Sequence, residues 1–193
     1  VAVISYTDTT YDALLGILSK VRLTKDDVNI QAAGPAGVWQ QFAAKKAVAM
    51  AGTPDWMVNA EEAGAVVDVL PSHVYFKSMA QAILAADETI DKNPQLIQKL
   101  VRATLKGMKD IMANPRAAAV AYVAHVPAHK GKEASIEKMF QAYKWYVYAG
   151  QRVPGQMDVE RLADLQKFYV TNGVVPKAVP VAELYTNQFV SGK

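Results

Sequence analysis

The sequence predicts an α/β lobe built on a parallel sheet, followed by a mainly helical segment. In residues 1–70, short apolar runs alternate with stretches whose apolar residues recur every three or four positions. After about residue 90 only the helical periodicity remains. Of the 193 residues, 51% are hydrophobic and 20% are charged, which suffices for a substantial core and excludes disorder over most of the chain.

Residues 1–70 read as four strands that alternate with three helices. Apolar runs or alternation predict the strands, and three- or four-residue spacing predicts the helices. Because each strand is followed by a helix, we expect a parallel sheet with right-handed crossovers. The predicted strands lie at 1–6, 28–32, 47–51 and 65–70, and the predicted helices at about 11–22, 38–46 and 54–63.

The sharpest local signal is Gly52-Thr53-Pro54-Asp55-Trp56. Thr53 supplies a hydroxyl suited to capping a helix, and proline at the next position is favoured at a helix start. Asp55 places a carboxylate in the first turn, where it complements the helix dipole. The helix that begins here is predicted to end at Gly64, because glycine is favoured just past a helix C-terminus.

Four amphipathic helices are predicted after residue 90. Asn93-Pro94 and Asn114-Pro115 each place a capping residue before a proline, which predicts helices over 94–113 and 115–125. A third is expected near 133–148, and a fourth from Asp158 to Gly173. Each of these helices needs a surface to cover its apolar side.

Composition and motifs exclude several classes of function. The net charge of +3, without runs of like charge, does not support a nucleic-acid partner. With no cysteine there is no thiolate metal site or cysteine nucleophile, and the common phosphate-binding and hydrolytic motifs are absent. Pro127 breaks the helix that could align His125 with His129, so a surface turn is favoured there. No catalytic residue, metal or cofactor is predicted.

Polar or glycine-rich turns follow three of the predicted strands. In open parallel sheets, ligands bind beyond the carboxyl ends of the strands, against the N-termini of the following helices. Each turn taken alone is also compatible with an ordinary cap, and their agreement on one sheet edge favours a ligand site. The predicted ligand-binding residues are Ser5, Thr7, Asp8, Thr9, Thr10, Gly34, Pro35, Thr53, Pro54, Asp55 and Trp56.

Two interpretations stay open for the side chains at these turns. Trp56 either packs into the core or stacks on a ligand ring. The carboxylates of Asp8, Asp12 and Asp55 either complement helix dipoles or face the ligand. In the second case they would disfavour a sulfonate or nitrate and favour an amine-bearing or neutral aromatic solute.

Four segments resemble one family: GTPDW, residues 87–119, residues 161–175 and residues 181–189. They look like the NMT1/THI5-like branch of substrate-binding proteins, which serve ABC importers of nitrate, taurine, alkanesulfonates, pyrimidines and related solutes. The resemblance covers essentially the whole chain. Residues 45–49 read Lys-Lys-Ala-Val-Ala, where the family usually carries a Gly-x-x-Asp-Ala run.

This resemblance implies a type II periplasmic-binding fold, in which two α/β lobes hold a ligand in a cleft. Residues 1–70 would be the second lobe, 71–90 the hinge, and 91–193 the helices that pack on a first lobe missing from this chain. It further implies a periplasmic or other extracytoplasmic, membrane-associated protein that binds a small organic solute, aromatic or amine-bearing, without catalysis or cofactor. The partners would be ABC permease subunits, and uncovered helix faces predict self-association of the truncated chain.

Two alternatives share this fold. The same family includes pyrimidine-precursor synthases, which are enzymes with a cysteine-rich iron-binding motif and a sacrificial histidine; the absence of cysteine counts against that activity. The effector domain of a LysR-type regulator would not need the long helical segment after residue 90. No helix-turn-helix is recognisable in the sequence.

Overall fold

The computed structural model describes residues 1–79 and 81–190, which divide into an N-terminal unit over 1–79 and a C-terminal unit over 81–190. A small parallel sheet and helices make up the first, and the elements described in the second are all helical. The α/β class and the mainly helical second half are therefore confirmed. The division of the chain into a lobe (1–70), a hinge (71–90) and a helical segment (91–193) stays a prediction.

The sheet of the N-terminal unit is centred on β1 (Ala2–Val3). On one side β1 pairs in parallel with β2 (Gln31–Ala32), in the register Ala2 with Gln31 and Val3 with Ala32. On the other side Ala2 forms a parallel bridge with Met50. The Ala2 amide donates to the Ala49 carbonyl, and the Ala51 amide donates to the Ala2 carbonyl, each at 2.9 Å. Three parallel segments thus run side by side, with β1 in the middle.

Helices pack around this sheet and close the core of the unit. They are α1 (Thr9–Lys20), α2 (Gly34–Ala43), α3 (Pro54–Glu62) and the short α4 (Ser72–Tyr75), with a 3₁₀ turn at Lys25–Asp27. The side chains of Val3, Val38 and Val58, one each from β1, α2 and α3, are the largest that are fully buried. The predicted helices are confirmed, although α2 begins at Gly34 rather than at Val38.

The predicted strands are confirmed only in part. The strand predicted at 65–70 is wrong: the described residues form no strand there, and Val66 is 93% exposed. The segment 47–51 contributes only the bridge at Met50, and the strand predicted at 1–6 is limited to β1. A strand forms where a neighbour satisfies its backbone groups, and an apolar run alone does not supply that neighbour.

Lys45 occupies the position at which the family usually carries the glycine of its Gly-x-x-Asp-Ala run. It adopts φ = 58°, in the left-handed region that favours glycine. The departure at residues 45–49 therefore coincides with a backbone conformation that a side chain makes less favourable.

The C-terminal unit contains α5 (Asp87–Lys92), α6 (Pro94–Ala113), α7 (Pro115–His125), α8 (Glu133–Tyr143) and α9 (Val159–Thr171). Both Asn-Pro helices match their predicted bounds. The Oδ1 atom of Asn114 caps α7 by accepting from the Ala117 amide at 3.0 Å, whereas Asn93 makes no such bond to α6. The helix predicted near 133–148 changes at Lys144 into a π-helix, Lys144–Tyr148.

The core of the C-terminal unit lies between α7 and α8. Ala119, Val123 and Ile136 are buried there, with Met139 and Phe140 packed against them. The chain end is held by side-chain amides: Asn187 exchanges hydrogen bonds of 2.8 and 3.1 Å with the backbone of Met157. Of the apolar residues on α6, only Ile97 is buried, and Leu100 is 48% exposed.

No helix in the described part of the chain combines the length and apolar character needed to cross a membrane.

Candidate functional site

Three turns lie at the carboxyl ends of the three parallel segments in the N-terminal unit. The segments are hydrogen-bonded side by side around β1, so their carboxyl ends meet at the same edge of the sheet. The Gly34 amide donates to the Ile4 carbonyl at 3.1 Å, which ties the second turn to the end of β1. We call the turns 5–10, 34–37 and 52–56 together the candidate edge. It contains every predicted ligand-binding residue.

In the first turn, Asp8 is the residue that caps α1. Its Oδ1 atom accepts from the Thr10 amide at 2.9 Å and from the Thr10 hydroxyl at 2.5 Å. The Ser5 and Thr7 hydroxyls lie 3.2 Å apart, and the side chains of Thr7 and Thr9 are exposed. The carboxylate of Asp8 is therefore already used in the cap of α1. The cap does not use the hydroxyls of Thr7 and Thr9.

In the second turn, Gly34 opens α2 in a conformation that a larger residue would strain. Its φ is +71°, and no side chain caps this helix, because Ala33 occupies the cap position. Pro35 is exposed within the first turn of α2. The glycine thus serves the chain reversal between β2 and α2.

In the third turn, Thr53 occupies the cap position of α3, but its side chain makes no capping hydrogen bond. The prediction of a capping hydroxyl at Thr53 is therefore wrong. The backbone begins the helix instead, since the Thr53 carbonyl accepts from the amides of Trp56 and Met57 at 3.0 and 3.2 Å. Pro54 is the first helical residue, as predicted, and Asp55 is half-buried in the first turn.

Trp56 is half-buried and lies over its own turn. A Cβ atom added at Gly52 would come within 2.7 Å of Cε3 of the indole ring. Glycine at position 52 is what allows this close approach. Trp56 is thus not among the fully buried core side chains, and its ring lies beside the glycine of the third turn at the candidate edge.

Two tyrosines lie close to the first turn, and neither is among the ligand-binding residues predicted from the sequence. The rings of Tyr6 and Tyr11 meet edge to face at 5.5 Å between centroids, and the Tyr6 hydroxyl donates to the Ile30 carbonyl at 3.2 Å. Tyr6 nevertheless remains 56% exposed. The available signal was their position on either side of the polar turn at Thr7–Thr10.

Asp12 lies on α1, two residues beyond the first turn of the candidate edge. It lies in the first turn of the helix α1 and is 5% exposed, which makes it the one buried charged or polar residue found among the described residues. Burial raises the pKa of Asp12, and the nearby carboxylate of Asp8 raises it further. From the sequence, Asp12 was expected either to complement the helix dipole or to face the ligand.

The matching family model is described as "NMT1/THI5 like" and covers residues 3–118 of the chain. That span is more than half of the 193 residues and includes the whole candidate edge. The chain belongs to the NMT1/THI5-like family. The resemblance deduced from the sequence is therefore confirmed.

A curated relative of this NMT1/THI5-like chain is a riboflavin-binding protein, RibY, from Chloroflexus aurantiacus. The two are 25% identical over 187 residues, which cover 95% of this chain and 53% of the relative. The chain thus spans about half the length of the curated relative it matches. Within the described part of the NMT1/THI5-like chain, no group of three or more His, Cys, Asp or Glu residues could hold a metal ion.

Replacing Asp12 with asparagine should stabilise this NMT1/THI5-like chain at neutral pH. Burial desolvates the ionised carboxylate and Asp8 repels it, and asparagine removes that charge at nearly constant volume. Because the pKa is raised on folding, the contribution of Asp12 to stability is fully present below the unfolded pKa and is lost as pH rises through the folded pKa. The gain from asparagine should therefore be largest at pH 7 and shrink on acidification.

Urea unfolding of both proteins between pH 4 and pH 7.5 measures this difference. Asp26→Asn is the matched control, because Asp26 is exposed in the same unit and its substitution should leave stability within about 0.5 kcal/mol. An Asp12→Asn protein that is less stable than the original chain at pH 7 would contradict the prediction.

Proposed function

We propose that this chain is the solute-binding component of an ABC importer. It would form part of a type II binding fold, with residues 1–70 as the second lobe, 71–90 as the hinge and 91–193 as helices that cover the other lobe. It would capture a small organic solute outside the cytoplasm and deliver it to permease subunits in the membrane. Membership of the NMT1/THI5-like family supports this proposal.

The observation that carries the proposal is the meeting of three turns at one sheet edge. The ends of three parallel segments and the starts of α1, α2 and α3 converge there, which is where open α/β sheets bind ligands. We propose as ligand-binding the residues named from the sequence: Ser5, Thr7, Asp8, Thr9, Thr10, Gly34, Pro35, Thr53, Pro54, Asp55 and Trp56. Of these, Asp8 also caps α1.

We propose a heteroaromatic solute of the flavin kind. The relative named as riboflavin-binding supports this class, and aromatic side chains at the candidate edge could contact a flat ring: Trp56, half-buried over Gly52, and Tyr6, largely exposed beside Tyr11. The proposed role is binding without catalysis, because the chain has no cysteine for the motif that the related synthases carry.

Replacing Trp56 with alanine should weaken riboflavin binding about tenfold. An aromatic side chain stacked on a ligand ring contributes about 1–2 kcal/mol, and truncating it removes that contact. The half-buried position over Gly52 suggests only a modest cost in stability. Titration of riboflavin followed by flavin fluorescence gives the affinity, and thermal unfolding gives the stability of each protein.

Trp145→Ala is the matched control for this measurement. Trp145 is 67% exposed on the π-helix of the C-terminal unit, so its removal should change neither the affinity nor the stability. Absence of riboflavin binding by the original chain would count against the flavin class. Unchanged affinity in Trp56→Ala with a large loss of stability would instead assign Trp56 to the core.

A further inference from the structure

Asp12 is buried as a residue, but its carboxylate oxygens are not fully shielded from solvent. Its residue exposure is 5%, and in the described part of the chain its carboxylate has neither a hydrogen-bond donor nor an ion-pair partner. Its electrostatic neighbour is another carboxylate, that of Asp8, and neither of the two forms an ion pair within the described residues. Because desolvation of a charge is unfavourable, a hydrogen-bond donor from a solute that displaces water here would stabilise this carboxylate.

The position of Asp12 on α1 directs it toward the candidate edge. Asp8, Asp12 and Gly16 follow one another at intervals of four residues and so share one face of the helix. At the C-terminal end of this row, Gly16 is covered by the Phe76 ring, which shows that the face is turned inward. Side chains on a helix lean toward its N-terminus, so the Asp12 carboxylate leans toward the turn capped by Asp8.

Asp8 and Asp12 differ in what they already bind. The Oδ1 atom of Asp8 accepts from both the amide and the hydroxyl of Thr10, so the helix itself uses this carboxylate. No such contact occupies Asp12 among the described residues, although it is the more buried of the two. Asp12 therefore has both carboxylate oxygens available to a ligand, whereas Asp8 already uses its Oδ1 atom in the helix cap.

We propose that Asp12 is a specificity-determining residue next to the candidate edge, whose carboxylate accepts a hydrogen bond from an N–H group of the solute. This inference rests on the proposed solute-binding function and narrows its substrate class. The chain selects heteroaromatic solutes that carry an N–H donor over solutes that are only anions. Two neighbouring carboxylates repel a sulfonate or nitrate, whereas a ring N–H supplies the donor that Asp12 lacks.

Three probes test this assignment by titration calorimetry with the full 193-residue chain. Riboflavin carries an imide N–H, its N3-methyl derivative lacks only that donor, and methanesulfonate is an anion without a donor. We expect the original chain to bind riboflavin about tenfold or more tighter than the N3-methyl derivative, since a hydrogen bond to a buried charged acceptor is lost. Methanesulfonate should not bind measurably.

Two variants at position 12 separate binding from folding. Asp12→Ala should weaken riboflavin binding about tenfold or more and remove the preference over the N3-methyl derivative. Asp12→Asn, expected to be at least as stable as the original chain, should weaken riboflavin binding several-fold, because the bond loses its charge. The exposed control Asp26→Ala should leave both affinities unchanged.

The outcomes distinguish the role of Asp12 from the wider function. Unchanged riboflavin affinity and preference in both Asp12 variants would overturn the assignment of Asp12 while solute binding stands. Tight binding of methanesulfonate would overturn the proposed selectivity and leave solute binding intact. If the original chain binds none of the three probes, the proposed flavin class of solute fails, and the assignment of Asp12 fails with it.

Discussion

Replacing Gly16 with alanine is expected to lower the free energy of unfolding of the N-terminal unit by about 2 kcal/mol. Gly16 is buried in α1, and the Phe76 ring lies directly on it. A Cβ atom at this position would overlap Cγ of that ring and lie 2.5 and 2.6 Å from its two Cδ atoms. Cγ and the two Cδ atoms are the ring atoms closest to the Phe76 backbone. The whole side chain would therefore have to move, because rotation of the ring about its own axis leaves Cγ in place.

Two effects of opposite sign compete at Gly16. Alanine favours a helix over glycine by about 1 kcal/mol. Overpacking of a filled contact costs about 1–3 kcal/mol, and here the overlap is with ring atoms next to the backbone, so we expect the steric cost to prevail. The loss of stability in Gly16→Ala should be detected as faster exchange of the backbone amide hydrogens of α1.

Gly107→Ala provides the matched control for Gly16. Gly107 lies within α6, is exposed, and has nothing within 4 Å of an added Cβ atom. This substitution should therefore stabilise α6 by up to about 1 kcal/mol through helix propensity alone. Stabilisation of α1 by Gly16→Ala to the same extent would show that Phe76 can leave the helix at little cost.

Replacing Val58 with alanine should destabilise the N-terminal unit by about 2–3 kcal/mol. Two buried methyl groups contribute about 1.6 kcal/mol of transfer free energy, and the cavity left behind adds to that cost. Val58 is 1% exposed and shares the core with Val3 and Val38. Because α2 and α3 both pack there, the loss also loosens the helices that begin at the second and third turns of the candidate edge.

Val48→Ala is the corresponding control in the same unit. Val48 is 93% exposed, so the identical chemical change should alter stability by no more than about 0.5 kcal/mol. Urea unfolding followed by circular dichroism compares the two variants. Equal stabilities for both would contradict the assignment of Val58 to the core.

Helix starts and ends were predictable because they depend on neighbouring residues in the chain. Proline after asparagine starts α6 at Pro94 and α7 at Pro115, as predicted, and Asp158 caps α9 by accepting from the Arg161 amide at 3.1 Å. Gly64 and Gly173 adopt φ of +89° and +69°, the conformation expected just past a helix end. Such contacts span three or four residues, so the local sequence contains them completely.

The strands and the helix caps of the candidate edge were less predictable. A strand depends on a partner that is distant in sequence, and a cap depends on which of several neighbouring polar residues makes the capping hydrogen bond. The apolar run at 65–70 found no partner among the described residues and forms no strand. At the first turn Asp8 provides the cap beside two threonines of similar propensity, and at the third the Thr53 hydroxyl makes no capping bond. Propensity names the residue types that can cap but does not choose among them.

Sequence patterns were enough to predict the α/β class, the helical second half, the family and the three turns that follow parallel segments. Periodicity, capping residues and family motifs are all properties of contiguous segments. The burial of Asp12, the position of the Phe76 ring on Gly16 and the position of Trp56 over Gly52 could be seen only in the folded chain. The burial of a helical side chain depends on which distant segments reach that face, and this becomes defined only when the chain folds.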